Sequence, residues 1–286
     1  MTVPLEPSFN PGEQPEGAAY GVSPSAIVGP GVKLGPEVYI GPGAIVVGHC
    51  EIGAGCRIES GAVLDPSSDG SNRPIVLEPS VRVMPGATIA SGVLVATGAV
   101  IEAGTVVQRD VPPHAVVSGN PAQISGYTDS QGTQAREGRG GQAREPGVTT
   151  SRVRGVTLHH LPRILDLRGN LTVGEFGRSI PFEARRYFMV FGVPNAEIRG
   201  EHAHRTCEQF LICAQGSCSV VADDGQDREE FLLDDPALGL YLPALTWGVQ
   251  YKYSSDAVLL VFASEYYSSE EYIRDYAEFV ALAADA

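Results

Sequence analysis

The chain has 286 residues, a formal net charge of −14 at neutral pH and five cysteines. The acidic balance excludes a general nucleic-acid binder, because phosphate contacts need a basic surface. No apolar run reaches the ~20 residues that a membrane helix needs, and the first residues show no signal-peptide pattern. We therefore expect a soluble cytoplasmic protein with reduced cysteines and two domains, each with its own core.

The first part of the chain, after an extension over residues 1–21, repeats with a period of six residues. An aliphatic residue recurs at every sixth position over 22–64 and again over 77–107. This period is neither helical nor simple strand alternation, so each hexad is predicted to form one short strand and one turn, with the aliphatic residue inward. Cys50 and Cys56 fall on a second, small inward position and are predicted to serve packing. The segment 65–74 breaks the period and is predicted to loop out.

This repeat, over residues 22–127 and including the closing segment 104–122, resembles the hexapeptide-repeat acyltransferases. Members of that family form left-handed parallel β-helices and assemble as trimers. The resemblance implies N-acetylation of an amine by acetyl-CoA, with Arg109, Gly98 and Asn120 as cofactor-binding residues. Such chemistry sometimes uses a general base, and two imidazoles are available: His49, the first candidate, and His114. Candidates for binding the acceptor lie in or beside the looped segment: Asp69, Asn72 and Arg73.

Residues 128–150 lose the six-residue period and are rich in Gln, Gly, Arg, Glu and Ser. They carry too little apolar surface to fold alone and are predicted to be a flexible linker. Beyond it, 151–286 alternates short apolar runs with turn residues, which predicts an antiparallel sandwich or barrel. The predicted strands are 156–161, 187–191, 210–213, 217–221, 239–242 and 257–263. The segment 268–271 has the form of a capping box, so a closing helix is predicted to carry Tyr272, Tyr276, Phe279 and Ala283 on one face.

The segment 199–204, Arg-Gly-Glu-His-Ala-His, carries the chemistry of this second domain. In a strand, alternation puts His202, His204 and Glu208 on one face and Ala203 on the other. Two neighbouring imidazoles suit either proton transfer or a metal, because they titrate near neutral pH and carry lone pairs. No histidine follows His204, which removes one usual cupin metal ligand but leaves an iron site with Glu208 open.

Five segments in order, 166–171, 180–183, 199–204, 209–213 and 240–248, resemble the cupin sugar-nucleotide 3,4-ketoisomerases. Members of that family move the keto group of dTDP-4-keto-6-deoxyglucose from C4 to C3 without a metal. The resemblance implies that His202 and His204 transfer the proton, with the primary base left open. It also implies substrate-binding residues: Arg199, Arg186, Tyr241, Trp247, Gln250 and Tyr251. One departure is Phe188, which stands where relatives commonly carry a second tyrosine.

The sequence therefore predicts an all-β, two-domain bifunctional enzyme of deoxyamino-sugar synthesis. The cupin domain would form the 3-keto sugar, and the β-helix domain would later N-acetylate the dTDP-linked 3-amino sugar. Two rivals stay open: a metal-dependent cupin oxygenase fused to a transferase, and a ketoisomerase whose β-helix only trimerises it. A trimeric β-helix joined to paired cupins suggests a hexamer. Either C4 configuration of the product, gluco or galacto, fits these motifs.

Overall fold

A computed structural model describes residues 21–66, 73–128, 146–166, 169–194 and 197–285. The chain divides into two compact units, Met1–Thr128 and Asp129–Ala286. The first unit is a parallel β-solenoid, and the second contains two larger antiparallel sheets and a short final helix. The predicted all-β, two-part class is confirmed. Within the described ranges, no helix has the length and apolar character needed to cross a membrane.

The solenoid has three sheets whose strands follow one another coil by coil, labelled in chain order. The first sheet contains β1 (Gly21–Val22), β4 (Tyr39–Ile40), β7 (Arg57–Ile58), β10 (Arg82–Val83), β13 (Val100–Ile101), β15 (Ala115–Ser118) and β16 (Gln123–Tyr127). The second contains β2 (Ile27–Val28), β5 (Ile45–Val46), β8 (Val63–Leu64), β11 (Thr88–Ile89) and β14 (Val106–Val107). The third contains β3 (Val32–Leu34), β6 (Cys50–Ile52), β9 (Ile75–Leu77) and β12 (Leu94–Val95). Among the described strands of this unit, only the closing strand β16 is antiparallel to its neighbour.

The six-residue period matches the burial of the solenoid except at its first coil. The repeated aliphatic residues at Ile40 and beyond are almost completely buried. Val22, Val28 and Leu34 are exposed instead, because the described chain supplies a neighbouring coil on one side of them only. The two solenoid cysteines are buried as predicted, and burial raises the pKa of Cys50 to about 11, which keeps its thiol protonated at neutral pH.

The break in the period enlarges one coil. Cys50 pairs with Val32, 18 positions earlier, and with Ile75, 25 positions later. The extra seven residues leave the sheet register intact, which fits a looped segment. Asp69 and Asn72 lie outside the described residues.

The second unit is built on two sheets that enclose an apolar core. The six-stranded sheet has the order β17 (Gly147–Thr150), β18 (Thr157–His160), β26 (Leu238–Leu242), β23 (Gln209–Gln215), β28 (Val258–Ala263) and β21 (Arg186–Phe191). The five-stranded sheet has the order β25 (Arg228–Leu233), β24 (Cys218–Asp223), β27 (Trp247–Tyr251), β22 (Arg199–His204) and β29 (Tyr272–Ile273). The strands β19 (Arg163–Asp166) and β20 (Gly169–Thr172) form a separate hairpin.

Two boundaries differ from the sequence prediction. The expected linker ends earlier than residue 150, because Gly147–Thr150 pairs with Thr157–His160 as an edge strand. The expected closing helix also starts later. Ser268 caps only a 3-10 turn over Ser269–Glu271, and the helix α1 covers Tyr276–Ala284 with Asp275 as its cap. Tyr272 therefore lies in a strand rather than on the helix, because the chain stays extended long enough to pair with β22.

Candidate active site

The two histidines of β22 lie on the wall of the barrel beside a bulge. Gly200 and Glu201 have φ values of 86° and 53°, and the register with β27 shifts between Gly200 and His202. An alanine Cβ at position 200 would lie 2.5 Å from the carbonyl oxygen of Gly248. Glycine is therefore required at this close approach of two strands, and the bulge sets the direction of the residue that follows it.

The imidazoles face each other across one side of the strand. The ring centroids of His202 and His204 lie 5.0 Å apart at an interplanar angle of 83°. Ala203 between them is fully buried and pairs with Ile273 of β29. His202 pairs with Gly248, and Gly248 pairs with the core residue Ala222, so this face of the sheet points into the core. The sequence-based prediction that alternation separates Ala203 from the two histidines agrees with this geometry.

Hydrogen bonds distinguish the two rings. Nδ1 of His202 lies 2.8 Å from the carbonyl oxygen of Gly200 and must donate to it, so Nε2 of His202 carries the lone pair. Nε2 of His204 lies 3.0 Å from the amide nitrogen of Gln209 and accepts from it. The proton of His204 is then on Nδ1, which is buried without a partner among the described residues.

Burial keeps both imidazoles neutral at physiological pH. Desolvation is the largest cause that lowers the pKa of His202, and the guanidinium of Arg274 lowers it further. The pKa of His204 falls to about 4 through desolvation, with added repulsion from His202 and Arg186. A neutral imidazole with a free lone pair is the form that a general base requires.

Strand alternation does not place Glu208 beside the two histidines, because Glu208 follows the end of β22. Strand β22 ends at His204, and Gln209 rather than Glu208 contacts the second imidazole. The carboxylate of Glu208 accepts a short hydrogen bond from the hydroxyl of Tyr241. Within the ranges that the structure covers, no three His, Cys, Asp or Glu side chains form a group able to hold a metal.

Tyr272 is a site residue that sequence reasoning missed. Its ring centroid lies 4.8 Å from that of His202 and 4.5 Å from that of His204. Its hydroxyl is 3.4 Å from Nη2 of Arg186, and the guanidinium of Arg274 lies 4.7 Å from the ring centroid. The overlooked signal is a second cap, Asp275 followed three residues later by Glu278, at which the helix begins and which leaves Tyr272 outside it.

Arg186, Arg199 and Gln250 lie on strand positions close to the histidines. Arg186 is opposite Ala263, which in turn pairs with Gln209, so the three follow one row across the six-stranded sheet. Arg199 pairs with Gln250 in the same ladder that pairs His202 with Gly248. Gln250 is buried and Arg199 is exposed.

Three predicted pocket residues lie elsewhere. Tyr241 alternates with the core residues Leu240 and Leu242 and so lies on the other face of its sheet, 6.3 Å from the ring of Phe182. Trp247 packs against Tyr276 and Phe279 of the final helix, with ring centroids 5.2 and 5.5 Å away.

The third, Tyr251, alternates with Gln250 along β27 in the same phase as Trp247. Its ring lies 4.7 Å from Nζ of Lys252. Strand alternation therefore separates all three aromatic residues from the face that carries the histidines.

The candidate residues of the solenoid are spread along it. His49 is half exposed, and its Nε2 lies 3.5 Å from Oε1 of Glu51. Gly98 has a φ of 65°, and a Cβ there would lie 2.5 Å from Nδ1 of His114, so this glycine makes room for an imidazole. Arg109 and Asn120 are exposed near the closing strands, and the backbone nitrogen of Arg73 donates to Oγ of Ser91 at 3.0 Å.

The second unit is a cupin: a barrel of two antiparallel sheets with a pair of histidines on its wall. Residues 154–284 match the family model described as "FdtA: WxcM-like, C-terminal", and residues 31–66 match that of the bacterial transferase hexapeptide (six repeats). The TDP-4-oxo-6-deoxy-α-D-glucose-3,4-oxoisomerase of Aneurinibacillus thermoaerophilus is 44% identical over 117 residues, which are 41% of this chain and 84% of the relative. The chain therefore belongs, through its second unit, to the TDP-sugar 3,4-ketoisomerase family, with a hexapeptide-repeat unit before it.

Two solved structures of 3,4-ketoisomerases are similar to this chain. The 3,4-ketoisomerase from Helicobacter canadensis is 36% identical with a TM-score of 0.45, over 46% of this chain and 98% of its own. QdtA, a sugar 3,4-ketoisomerase from Thermoanaerobacterium thermosaccharolyticum in complex with TDP, is 34% identical with a TM-score of 0.45, over 46% of this chain and 96% of its own.

Proposed function

We propose that the second unit converts dTDP-4-keto-6-deoxyglucose into its 3-keto isomer, with His202 as the primary base. The observation that carries this proposal is the free lone pair on Nε2 of His202, beside a second neutral imidazole. The related oxoisomerase from A. thermoaerophilus, which acts on this type of sugar nucleotide by its description, supports the substrate class.

The reaction moves one proton between neighbouring carbons. Nε2 of His202 takes the proton from C3, while the Gly200 carbonyl holds Nδ1–H and stabilises the imidazolium that forms. The enediol that results then receives the proton at C4 from the same ring. His204 is less suited to this transfer, because the amide of Gln209 already occupies its Nε2 lone pair. His204 is proposed to orient the sugar, and its uncharged ring adds no positive charge beside His202.

Positive charge around the histidines suits an anionic substrate. The guanidinium groups of Arg186 and Arg274 are close enough to lower the pKa of His204, so they also stabilise negative charge that develops on the sugar oxygens. Arg199 and Gln250 extend this polar surface along β22 and β27 and are proposed to hold the sugar or the diphosphate.

Proton NMR in D2O tests the isomerase. The full-length protein is incubated with dTDP-4-keto-6-deoxyglucose, and loss of the C3 proton signal and appearance of a 3-keto product are followed. His202→Asn should abolish both, His204→Asn should slow both, and His160→Asn, outside the site, should match the wild type. A folded wild-type protein without exchange or product would refute the function, and the C4 coupling of the product names the sugar series.

For the solenoid we propose N-acetylation of a dTDP-linked 3-amino-3,6-dideoxyhexose by acetyl-CoA. The hexapeptide transferase match and the three-sided parallel solenoid support this proposal. His49 would take a proton from the attacking amine, and its contact with Glu51 would orient the ring. Arg109, Gly98 and Asn120 are proposed to bind the coenzyme, and Arg73, with Asp69 and Asn72, the acceptor.

Thiol release from acetyl-CoA with a 3-amino sugar nucleotide measures this second activity. His49→Asn should lower it at least tenfold without changing the ketoisomerase. If acetyl-CoA binds but no 3-amino sugar nucleotide is acetylated, the solenoid serves assembly only. All five cysteines are buried and free, which suits the cytoplasm, where we expect both steps to occur.

We propose a homo-oligomer in which solenoids form trimers and cupin units pair, giving a hexamer. The edge strand β21 supports the pairing, because alternate residues Tyr187, Met189 and Phe191 are each more than half exposed. Light scattering of Phe191→Glu should show a trimer instead of a hexamer. Val148→Glu, on the opposite edge strand, is the matched control.

A further inference from the structure

The isomerisation needs a proton-transfer group in addition to His202. Moving a ketone from C4 to C3 transfers one proton between carbons and a second proton between the two oxygens. His202 accounts for the carbon proton only. The oxygens of the substrate require a separate group that gives a proton to O4 and takes one from O3. That group must lie within reach of the carbons that His202 serves.

The phenol of Tyr272 meets this requirement in its surroundings. Its ring contacts both imidazoles, with centroids 4.8 and 4.5 Å away, and its hydroxyl lies 3.4 Å from Nη2 of Arg186. Nε of Arg186 is buried without a partner among the described residues, so this guanidinium still has donor capacity. Phe188, whose ring centroid is 5.8 Å from the same guanidinium, carries no hydroxyl. A second tyrosine near this guanidinium, Tyr267, is 66% exposed and its ring lies 5.8 Å from that of Tyr272, whereas the ring of Tyr272 contacts both imidazoles.

The fold holds the phenol there by a backbone ladder. Tyr272 pairs with His204, and Ile273 pairs with Ala203. The carboxylate of Glu271 accepts hydrogen bonds from the backbone nitrogens of Thr206 and Cys207 at 3.0 and 3.1 Å, which ties β29 to the end of β22. The ring is only partly buried, so a ligand on the barrel wall can reach it.

We infer that Tyr272 is a catalytic residue of the isomerase and carries the proton between the two sugar oxygens. The inference rests on the proposed isomerase function. His202 removes the proton from C3, the C–H electrons form the C3–C4 double bond, and the carbonyl electrons move to O4, which takes the phenolic proton. The phenolate then takes the proton from O3, C3 becomes the carbonyl carbon, and C4 receives the proton from the His202 imidazolium. Substrate and product are isomers, so no oxidant or reductant is needed.

The test compares Tyr272→Phe with wild type in D2O on dTDP-4-keto-6-deoxyglucose. Without the phenol, the guanidinium of Arg186 still stabilises the enolate that forms at O4 when C3 is deprotonated, but no proton moves between the two oxygens and the intermediate returns to substrate. We expect kcat to fall about 100-fold, KM to stay within about threefold, and deuterium at C3 of recovered substrate per product formed to rise at least tenfold. TDP binding should be unchanged. Tyr266→Phe, on an exposed tyrosine outside the site, is the matched control.

Each other outcome contradicts the inference. A kcat within about threefold of wild type means that the hydroxyl takes no part. Exchange and product falling in parallel indicate a positional effect on His202, and loss of folding assigns the hydroxyl a structural role. An inactive wild-type protein would instead refute the isomerase function itself, so the two failures are distinguishable.

Discussion

The bulge at Gly200 connects backbone conformation to catalysis, and Gly200→Ala tests that connection. An L-residue at a φ of 86° costs about 1–2 kcal/mol. The new Cβ also meets the carbonyl oxygen of Gly248 at 2.5 Å, and relieving such an overlap costs a further ~1–3 kcal/mol. The free energy of unfolding of the second unit should therefore fall by about 3 kcal/mol.

The matched control is Gly192→Ala. Gly192 has a φ of 65°, but a methyl group there would have no atom of the described residues within 4 Å, so only the conformational cost applies. Trp247 is the one tryptophan of the chain and is buried in the second unit, so its fluorescence during urea denaturation reports on that unit alone. We expect a loss of about 1 kcal/mol for this control.

Activity should follow the same order. The Gly200 carbonyl holds Nδ1–H of His202, so displacement of the bulge turns the base away and should lower kcat at least tenfold. Gly192→Ala should leave kcat unchanged. If Gly200→Ala is no less stable than Gly192→Ala, or if it keeps full activity, the bulge does not position the histidine and the reasoning is refuted.

Three further predictions concern pH, the final helix and metals. As the pH falls from 6.5 to about 4, the free energy of unfolding of the second unit should decrease by up to about 3 kcal/mol, because the unfolded chain binds a proton at His204 and the folded protein does not. His204→Gln should flatten this dependence in urea titrations at each pH. Tyr276→Phe should cost about 1–2 kcal/mol, because its hydroxyl donates to Asp223 at 2.7 Å; an unchanged denaturation midpoint would contradict this. A chelator should leave isomerase turnover unaffected, whereas a loss of turnover that added iron restores would favour the metal-dependent alternative.

Local periodicity was enough to predict much of the architecture. The six-residue repeat predicts the solenoid because each coil repeats one strand and one turn, and its inward positions follow from counting. Alternation likewise predicts that Ala203 faces away from His202 and His204, since strand side chains change sides at every residue. The motifs around these histidines also indicated the family before any contact was known.

Contacts between distant strands could not be predicted in the same way. Whether Trp247 or Gly248 faces the barrel interior depends on how β27 pairs with β24 and β22, and alternation alone leaves both faces possible. That Gln209 rather than Glu208 contacts His204 has the same origin, because Gln209 lies on β23, a different strand from the histidine.

The sequence by itself determined the solenoid, the strand-rich second unit and the pair of histidines, because each depends on residues close together in the chain. The tertiary structure alone decided which groups surround that pair. Tyr272 comes 68 positions after His204, and only the pairing of β29 with β22 brings its phenol to the imidazoles. The lone pair of His202 and the low pKa of His204 likewise arise from a bulge and from burial, which are properties of the folded barrel.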